Sequence, residues 1–292
     1  MKHLFIINPM AGKGNSLKLI PEIEQILLNL KEEYKIEITR WPGHAIELVK
    51  AYVLEDDYRV YAVGGDGTLN EVLNGMVGSN SSLGVIPAGS GNDYIKTITK
   101  YPVENILYRT IVGKEKYIDI GKLNDIFFLN IASCGIDARI TFNAQRFKKL
   151  PVINGFTAYY LSIIYTILKY KNEFVSTEID DYRFKEITVL VAFGKGSSYG
   201  GGMKVLPNAI IDDGYLEVCY IKGMNKIKIL TLFGTLIKGK HGAIKEYVSF
   251  FKCKTAKVSF DEEMPINIDG EIIMSKEINF SVVPKKIKFI IP

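Results

Sequence analysis

The sequence predicts an α/β domain built on a parallel sheet, followed by an all-β, sandwich-type domain with helical insertions. Short apolar runs alternate with segments of helical period in the first part of the chain. After about residue 115, many strand-like runs follow one another at short spacing. The length of 292 residues is also enough for two domains of roughly 100–200 residues each.

The first region is predicted to contain four strands, each followed by a helix. Strands are assigned to short runs rich in β-branched or alternating apolar residues, and helices to apolar residues recurring every three or four positions. In chain order we expect strand His3–Asn8, helix Ser16–Leu30, strand Tyr34–Thr39, helix Ala45–Leu54, strand Arg59–Val63, helix Thr68–Met76, strand Leu83–Ile86 and a helix from Asp93. Ser16 is a candidate N-cap of the first helix. Such alternation with short loops is typical of a parallel sheet covered on both faces.

The second region is predicted to be mainly antiparallel, and we place the boundary near Lys116. Two helical blocks interrupt it, roughly Ala138–Tyr170 and Lys226–Ile237. The strand-like runs are Tyr117–Leu123, Ile126–Ala132, Phe174–Ile179, Ile187–Phe193, Tyr215–Ile221, Lys257–Phe260, Pro265–Ile268 and Ile278–Val283.

Composition excludes several classes of protein. Apolar residues make up 47% and charged residues 24%, which is globular composition. A net charge of +5 is mild for this length and does not indicate a dedicated nucleic-acid binder. Three cysteines and three histidines argue against a disulfide framework or a zinc site, and favour a reducing compartment. The uncharged stretch Leu150–Leu168 contains too many polar residues for a spanning helix, so we expect a buried or interfacial one.

Each predicted strand of the first region ends in a polar or glycine-rich loop. Because the carboxyl ends of parallel strands meet at one edge, these loops are expected to converge where such sheets bind ligands. Glycine-flanked N–H groups at helix starts suit a phosphate, and Asp66 beside them suits a bridging divalent cation. One such loop alone is more often a simple turn, but four at one edge favour binding. The loops are Asn8–Gly12, Thr39–Gly43, Gly64–Thr68 and Pro87–Asp93.

The common glycine motifs do not account for these loops. Gly12-Lys13-Gly14 lacks the Ser or Thr that follows the lysine of a P-loop, and Ile7 stands where the first glycine belongs. The dinucleotide fingerprint fails at Asn70 and Tyr94, where its last glycine is required. The chain is therefore neither a P-loop protein nor a plain Rossmann dehydrogenase.

The loops resemble, in order and spacing, those of the diacylglycerol kinase catalytic domain family, in its bacterial soluble lipid kinase branch. Gly-Gly-Asp-Gly-Thr alone is shared with NAD kinases and phosphofructokinases, but its combination with Gly-Ser-Gly-Asn-Asp and Asp-Gly-Glu is more discriminating. The resemblance covers nearly the whole chain. The segments that carry it are Asn8–Gly14, Thr39–Ala45, Gly64–Glu71, Ile86–Asp93, Asp119–Gly121, Gly200–Gly202, Leu206–Ala209, Asp213–Leu216 and Asp269–Glu271.

The resemblance implies a fold and an ATP site. The first domain, residues 1–116 with a C-terminal return at about 276–292, would hold ATP on an NAD kinase/phosphofructokinase-like parallel sheet. Residues 117–275 would form a β-sandwich lipid-binding domain, with the active site in the cleft between the two. Ser90 stands where the family usually has Thr and keeps its hydroxyl. The implied ATP-binding residues are Asn8, Pro9, Met10, Ala11, Gly12, Thr39, Gly64, Gly65, Asp66, Gly67, Thr68, Leu69, Asn70 and Ser90.

The resemblance further implies a magnesium site and a general base. Asp213 would hold a structural Mg²⁺, with the backbone carbonyls of Ile210 and Tyr215 as neighbours and Asp119 in the same network. Asp269 and Glu271 together would supply the base that accepts a hydroxyl proton. From the residues alone, Asp269-Gly270 is first of all a hairpin-turn signal.

A basic segment provides a candidate membrane contact. Lys222–Lys245 carries six lysines and no acidic residue, and its apolar residues repeat at helical spacing. Such a segment suits an anionic membrane surface, and a core-packed helix with solvated lysines is an equally good alternative. The apolar residues are Ile229, Leu232, Phe233, Leu236 and Ile237.

The resemblance, together with the basic segment, therefore implies a cytoplasmic, ATP- and Mg²⁺-dependent lipid kinase that associates peripherally with the inner face of the cell membrane. Its partner would be a lipid and not a nucleic acid, and diacylglycerol is the leading substrate in phospholipid metabolism. The alternatives are an NAD kinase-like enzyme with a soluble substrate and a non-catalytic nucleotide- or lipid-binding regulator. An edge strand leaves a homodimer open. No motif chooses among diacylglycerol, monoacylglycerol, phosphatidylglycerol, a polyprenol and a sphingoid base.

Overall fold

The computed structural model describes residues 1–89, 91–99, 103–148, 155–171 and 173–292. The first region contains β1 (Lys2–Ile7), α1 (Ile20–Leu30), β2 (Glu33–Ile38), α2 (His44–Glu55), β3 (Arg59–Gly64), α3 (Asp66–Met76), β4 (Ser82–Pro87), α4 (Asp93–Thr99) and α5 (Ile106–Ile111). The second contains β5 (Lys114–Leu123), β6 (Ile126–Phe128), β7 (Ile131–Gly135), α6 (Ile136–Lys148), α7 (Gly155–Lys169), β8 (Glu173–Ile179), β9 (Tyr182–Gly194), β10 (Leu216–Lys222), α8 (Lys226–Ile237), β11 (Val248–Cys253), β12 (Thr255–Ile268) and β13 (Glu271–Ile291).

Four strands of the first region form the predicted parallel sheet, in the order β4-β3-β1-β2. All neighbouring pairs are parallel. The register sets Ile7 opposite both Ile38 and Val63, and Val63 opposite Ile86. The four strands therefore end at the same level, and the loops that follow them lie along one edge of the sheet.

The first helix begins later than the sequence predicted. Residues Ala11–Leu19 form a 3₁₀ segment in which Gly12, Lys13 and Gly14 have left-handed backbone angles. An α-helix cannot include three such residues, so α1 starts only at Ile20. Ser16 is consequently not its N-cap, and its hydroxyl instead donates to the carbonyl of Asn8 at 2.6 Å.

The second region is largely antiparallel, as predicted, and its strands continue the parallel sheet. Strand β13 pairs with β12 along its first half and with β5 beyond it, both antiparallel. Near its end β13 also lies parallel to β4, with Lys288 and Phe289 opposite Ser82 and Leu83. In the described residues one 13-stranded sheet thus joins the two regions. The division into domains at residue 116 stays a prediction.

Two of the predicted strands are one. Lys257–Phe260 and Pro265–Ile268 both belong to β12, whose pairing with β13 shifts register between Ser259 and Met264. The exposed acidic residues between them look like a loop in the sequence but lie within the strand. β12 and β13 form a hairpin joined by Asp269 and Gly270, which have φ angles of 50° and 100°. Both values are positive, as a tight two-residue hairpin turn requires.

Helix α8 occupies the predicted range, but its apolar stripe faces the protein. Ile229, Leu232 and Leu236 are buried in a core cluster, and Phe233 packs against it. Of the two alternatives that the sequence left open, the structure shows core packing for these four residues, whereas Ile237, the fifth of the set, is exposed. The apolar residues that α8 leaves exposed are Ile227, Leu230 and Ile237. No helix in the described ranges is long and apolar enough to cross a membrane.

Candidate active site

The four loops at the sheet edge are held together by backbone hydrogen bonds. The N–H of Asn8 donates to the carbonyl of Val63 at 3.1 Å, and the N–H of Thr39 to that of Ile7 at 2.9 Å. The N–H of Ala88 donates to the carbonyl of Gly64 at 2.9 Å. These bonds continue the sheet pairing by one residue beyond the strands, so the loops start from fixed positions.

Two glycines allow the loops to pack against one another. A Cβ on Gly12 would lie 2.2 Å from the carbonyl oxygen of Ala88, and Gly12 also has a φ of +58°. A Cβ on Gly89 would lie 2.5 Å from the Cα of Gly65. Any side chain at these positions would push the loops apart, which explains why the sequence has glycine there.

Asp66 connects the third loop to the fourth. Its carboxylate accepts hydrogen bonds from the N–H groups of Asp93 at 3.0 Å and Tyr94 at 3.1 Å, at the start of α4. Burial raises the pKa of Asp66 above its ordinary value, and these two donors oppose the rise. Asp66 thus acts as a helix cap here, in addition to whatever it does toward a ligand.

A cavity of about 370 Å³ opens above the first three loops. Six of the residues predicted to bind nucleotide line it: Asn8, Pro9, Met10, Thr39, Gly67 and Thr68. The side-chain amide of Asn8 donates to the hydroxyl of Thr68 at 3.1 Å, which orients both groups. Arg40, Trp41 and Glu71 also line this cavity; they lie in segments that carry the resemblance, but they are not among the residues that the resemblance implies for ATP.

The other predicted nucleotide residues lie elsewhere. Gly65 and Asp66 line a second cavity, while Ala11 is buried and Gly64 lies beneath Thr68. Leu69 belongs to the hydrophobic core. The amide of Asn70 donates to the Asp269 carboxylate at 3.0 Å. Ser90 lies outside the described residues.

The second cavity, of about 390 Å³, lies between the loops and the second region. Polar side chains of α6, α7 and the segment after β9 line it: Thr141, Gln145, Tyr159 and Tyr199. On the other side it is lined by Gly67, Asp269, Gly270 and Glu271. Gly67 and Glu271 line both cavities, so the two spaces meet at these residues.

Asp269 is buried and anchored by four donors. One carboxylate oxygen accepts from the N–H of Leu129 and the amide of Asn70, both at 3.0 Å. The other accepts from the N–H groups of Asn130 at 3.1 Å and Ile131 at 2.9 Å. Burial raises the pKa of Asp269 to about 6, against the lowering effect of these donors. Because a carboxylate has about four acceptor sites, these four donors occupy all of them.

Glu271, in contrast, is exposed at the start of β13. A Cβ built on Gly67 would lie 3.8 Å from its Oε1, so the carboxylate faces the start of α3. Within the described part of the chain, no hydrogen bond or ion pair engages it. The hairpin therefore presents one anchored carboxylate and one that is available for chemistry.

The predicted magnesium residues come together around a lysine. The Nζ atom of Lys195 lies 3.0 Å from Oδ2 of Asp119, 2.7 Å from Oδ1 of Asp213 and 2.7 Å from the carbonyl oxygen of Tyr215. Burial alone would raise the pKa of Asp213, but the ammonium groups of Lys195 and Lys252 outweigh it and lower that pKa. Ile210 has no contact with this ammonium group. An ammonium group and a metal ion cannot share one position, so this ligand set does not fit Mg²⁺.

Comparisons with known proteins identify the family. Residues 2–123 match the family model described as the diacylglycerol kinase catalytic domain, and residues 130–291 that of the YegS C-terminal NAD kinase beta sandwich-like domain. The chain belongs to the diacylglycerol kinase catalytic domain family. It is accordingly an enzyme of the lipid kinase class, and the predicted combination of an α/β domain with a sandwich-type domain is confirmed.

Relatives match over most of their length. The chain is 30% identical over 271 residues to a diacylglycerol kinase of Bacillus subtilis (strain 168), covering 91% of this chain and 88% of the relative. It is 31% identical to a diacylglycerol kinase of Staphylococcus carnosus (strain TM300), with coverages of 91% and 87%. A crystal structure of a diacylglycerol kinase from Bacillus anthracis str. Sterne superposes with a TM-score of 0.70 at 22% identity, covering 100% of this chain and 97% of the other.

Proposed function

We propose that this family member transfers the γ-phosphate of ATP to the hydroxyl group of a lipid, with diacylglycerol as the leading substrate. The observation that carries the proposal is the meeting of two cavities at Gly67 and Glu271. One cavity is lined by the loops of the parallel sheet and would take the nucleotide. The other opens toward the second region and would take the acceptor.

The first cavity suits a nucleoside triphosphate. Gly67 lies in the first turn of α3, where free N–H groups and the helix dipole favour phosphate oxygens. The side chains of Asn8, Thr39 and Thr68 offer further donors and acceptors. We propose that ATP enters as its magnesium complex, so the ion is carried in with the substrate.

Glu271 is the proposed general base. The acceptor oxygen attacks the γ-phosphorus, the bond from that phosphorus to the β,γ-bridging oxygen breaks, and ADP leaves. The hydroxyl proton passes to the Glu271 carboxylate. Phosphoryl transfer asks a protein mainly for positioning and charge stabilisation, with a carboxylate to orient the nucleophile. The geometry supports Glu271 over Asp269, since Glu271 has free acceptor sites and Asp269 does not.

Asp269 is the proposed positioning residue. Its four hydrogen bonds fix the turn between β12 and β13 against Leu129–Ile131 and Asn70. Because Asn70 lies on α3, the same bonds fix the turn relative to the nucleotide loop. Glu271 follows Asp269 by two residues, so the same anchor holds it at the place where both cavities meet.

The acceptor assay tests the reaction class. Radiolabelled ATP is offered to the protein with a panel of lipids in mixed micelles and with NAD in the same mixture. We expect label in a lipid, with diacylglycerol the best acceptor. Label in NADP and in no lipid would contradict the proposal and favour the soluble-substrate alternative.

The membrane side of the molecule is proposed to be the exposed face of α7 and α8. Leu161, Ile164 and Leu168 of α7 are exposed, as are Ile227 and Ile237 of α8. The two helices adjoin, since the Nζ atom of Lys226 donates to the carbonyl of Leu168 at 2.6 Å. Lysines flank these apolar residues, and this charge is complementary to an anionic lipid surface.

Charge reversal at the end of α8 should weaken membrane binding. Lys238 and Lys240 are exposed next to Ile237. Because each lysine near an anionic surface is worth about 1 kcal/mol, Lys238→Glu with Lys240→Glu should lower partitioning into phosphatidylglycerol vesicles by roughly thirtyfold or more. Co-sedimentation with the vesicles measures this partitioning. Lys50→Glu with Lys286→Glu changes the charge equally at exposed sites in the first region and in β13, and should leave binding nearly intact. Equal losses in both variants would refute the proposed face.

Trp41 provides a direct probe of nucleotide binding. It is the only tryptophan of the chain, is 50% exposed and lines the first cavity. We expect ATP to change its fluorescence in a saturable way, because a bound nucleotide alters the solvent around the indole. Titration with ATP in the absence of lipid measures this. A spectrum unchanged at ATP concentrations that saturate turnover would exclude the first cavity as the nucleotide site.

A further inference from the structure

The cluster around Lys195 joins three separate parts of the second region. Asp119 lies on β5, Lys195 directly follows β9, and Asp213 lies in the loop that leads into β10. The side chains of Lys195 and Asp119 are 0% and 1% exposed. A lysine is almost never buried to this extent unless its charge is paired.

The Lys195 ammonium group is fully satisfied. It has three N–H donors, and three acceptors lie within hydrogen-bond distance: Asp119 at 3.0 Å, Asp213 at 2.7 Å and the carbonyl of Tyr215 at 2.7 Å. Lys252 binds the second oxygen of Asp213 at 2.8 Å. Two ammonium groups thus pair with the two carboxylates of Asp119 and Asp213.

The carboxylate oxygens that a metal ion would need are also engaged by the backbone. Oδ1 of Asp119 accepts from the N–H of Lys285 at 2.9 Å, and Oδ2 accepts from the N–H of Gly214 at 2.7 Å. Oδ1 of Asp213 accepts from the N–H of Tyr215 at 3.2 Å. Mg²⁺ requires near-octahedral oxygen ligands at about 2.0–2.1 Å, and the carboxylates do not offer them while the Lys195 ammonium group occupies the space between Asp119 and Asp213.

We propose that the Lys195 ammonium group replaces the structural magnesium ion that the family resemblance implies, so that the nucleotide-free protein needs no divalent cation at this position. The lysine connects β5 to the loop before β10, and through Asp119 it is linked to β13. This proposal is independent of the phosphoryl acceptor, since it concerns the fold without nucleotide.

Two variants separate the charge of the lysine from its volume. Lys195→Ala and Lys195→Met both leave buried carboxylates without their cation and should lower the melting temperature by about 10 °C. Only the alanine variant opens space between the carboxylates, so Mg²⁺ should restore part of its melting temperature and none of that of the methionine variant. Lys252→Ala, which removes the exposed partner of Asp213, should cause a smaller loss and no response to Mg²⁺.

The decisive measurement uses the wild-type protein without nucleotide. Elemental analysis of the protein before any chelation should find no bound magnesium, and the melting temperature should not change after dialysis against EDTA or with added Mg²⁺. Release of stoichiometric magnesium together with a lower melting temperature would overturn the proposal. So would wild-type melting temperatures for both Lys195 variants. The chelation result stands even where a variant fails to fold.

Discussion

Glu271→Gln is expected to lower kcat by about 10²–10⁴-fold, because the amide cannot accept the proton of the attacking hydroxyl. The substitution keeps the size of the side chain, and the KM for ATP should change little, since Glu271 lies where the two cavities meet and is one of many residues that line the first. Steady-state kinetics in mixed micelles with varied ATP measure both constants. Trp41 fluorescence provides an independent value for nucleotide affinity.

A matched control lies on the same strand. Glu277 is half exposed on β13 and forms a surface ion pair with Lys257 at 2.9 Å. Surface pairs of this kind contribute little, so Glu277→Gln should retain nearly full activity. If Glu271→Gln keeps the wild-type kcat, Glu271 is not the base.

Asp269→Asn should act mainly on stability. An amide at this position would turn its NH₂ group toward two of the four donors that now meet carboxylate oxygens. Leaving buried donors unpaired costs about 1–3 kcal/mol of the free energy of unfolding per group. We also expect a loss of kcat smaller than that of Glu271→Gln, since the turn that carries Glu271 loses part of its anchor. Urea denaturation with activity assays measures both.

The raised pKa of Asp269 adds a pH dependence to this comparison. The group has a pKa of about 6 in the folded protein and about 3.9 in an unfolded chain, so the folded state binds the extra proton between these values. The contribution of this group to the free energy of unfolding is therefore fully present below about pH 4, and it is lost as the pH rises through 6. The wild-type advantage over Asp269→Asn should grow by about 1 kcal/mol between pH 7.5 and pH 5.

The stability comparison needs a control on β12. Asp261 is exposed and lies 3.6 Å from Lys185, so Asp261→Asn should be nearly neutral at both pH values. A wild-type advantage over Asp269→Asn that shrinks on acidification would contradict the raised pKa.

Much of the fold follows from local patterns in the sequence. The alternation of strands and helices predicts the parallel sheet because each element buries a face with its own period, and α8 falls on its predicted range. The strand β11 and the helix α5 were not predicted. β12 was predicted as two strands, because its exposed acidic residues look like a loop in the sequence. The pairing partner of a strand depends on tertiary packing, so it cannot be predicted from the local sequence of that strand.

The site was predictable to a similar extent. The glycine-rich loops and the Asp-Gly-Glu turn are visible in the sequence and lie together in the structure. The different roles of Asp269 and Glu271 were not predictable, because the donors to Asp269 come from Leu129–Ile131, far away along the chain. Lys195 was overlooked for the same reason. A lysine within a glycine-rich segment looks solvent-exposed until the acceptors around it are known.

We claim that a phosphoryl group passes from the donor cavity to the acceptor cavity beside Glu271, and ³¹P NMR of a single reaction mixture can follow this transfer. The protein is mixed with MgATP and diacylglycerol in detergent micelles, and all phosphorus species are followed together. We predict that ADP and phosphatidic acid accumulate in equal amounts, without inorganic phosphate, and that Glu271→Gln suppresses both signals. Accumulation of ADP and inorganic phosphate without a lipid phosphomonoester would contradict the claim.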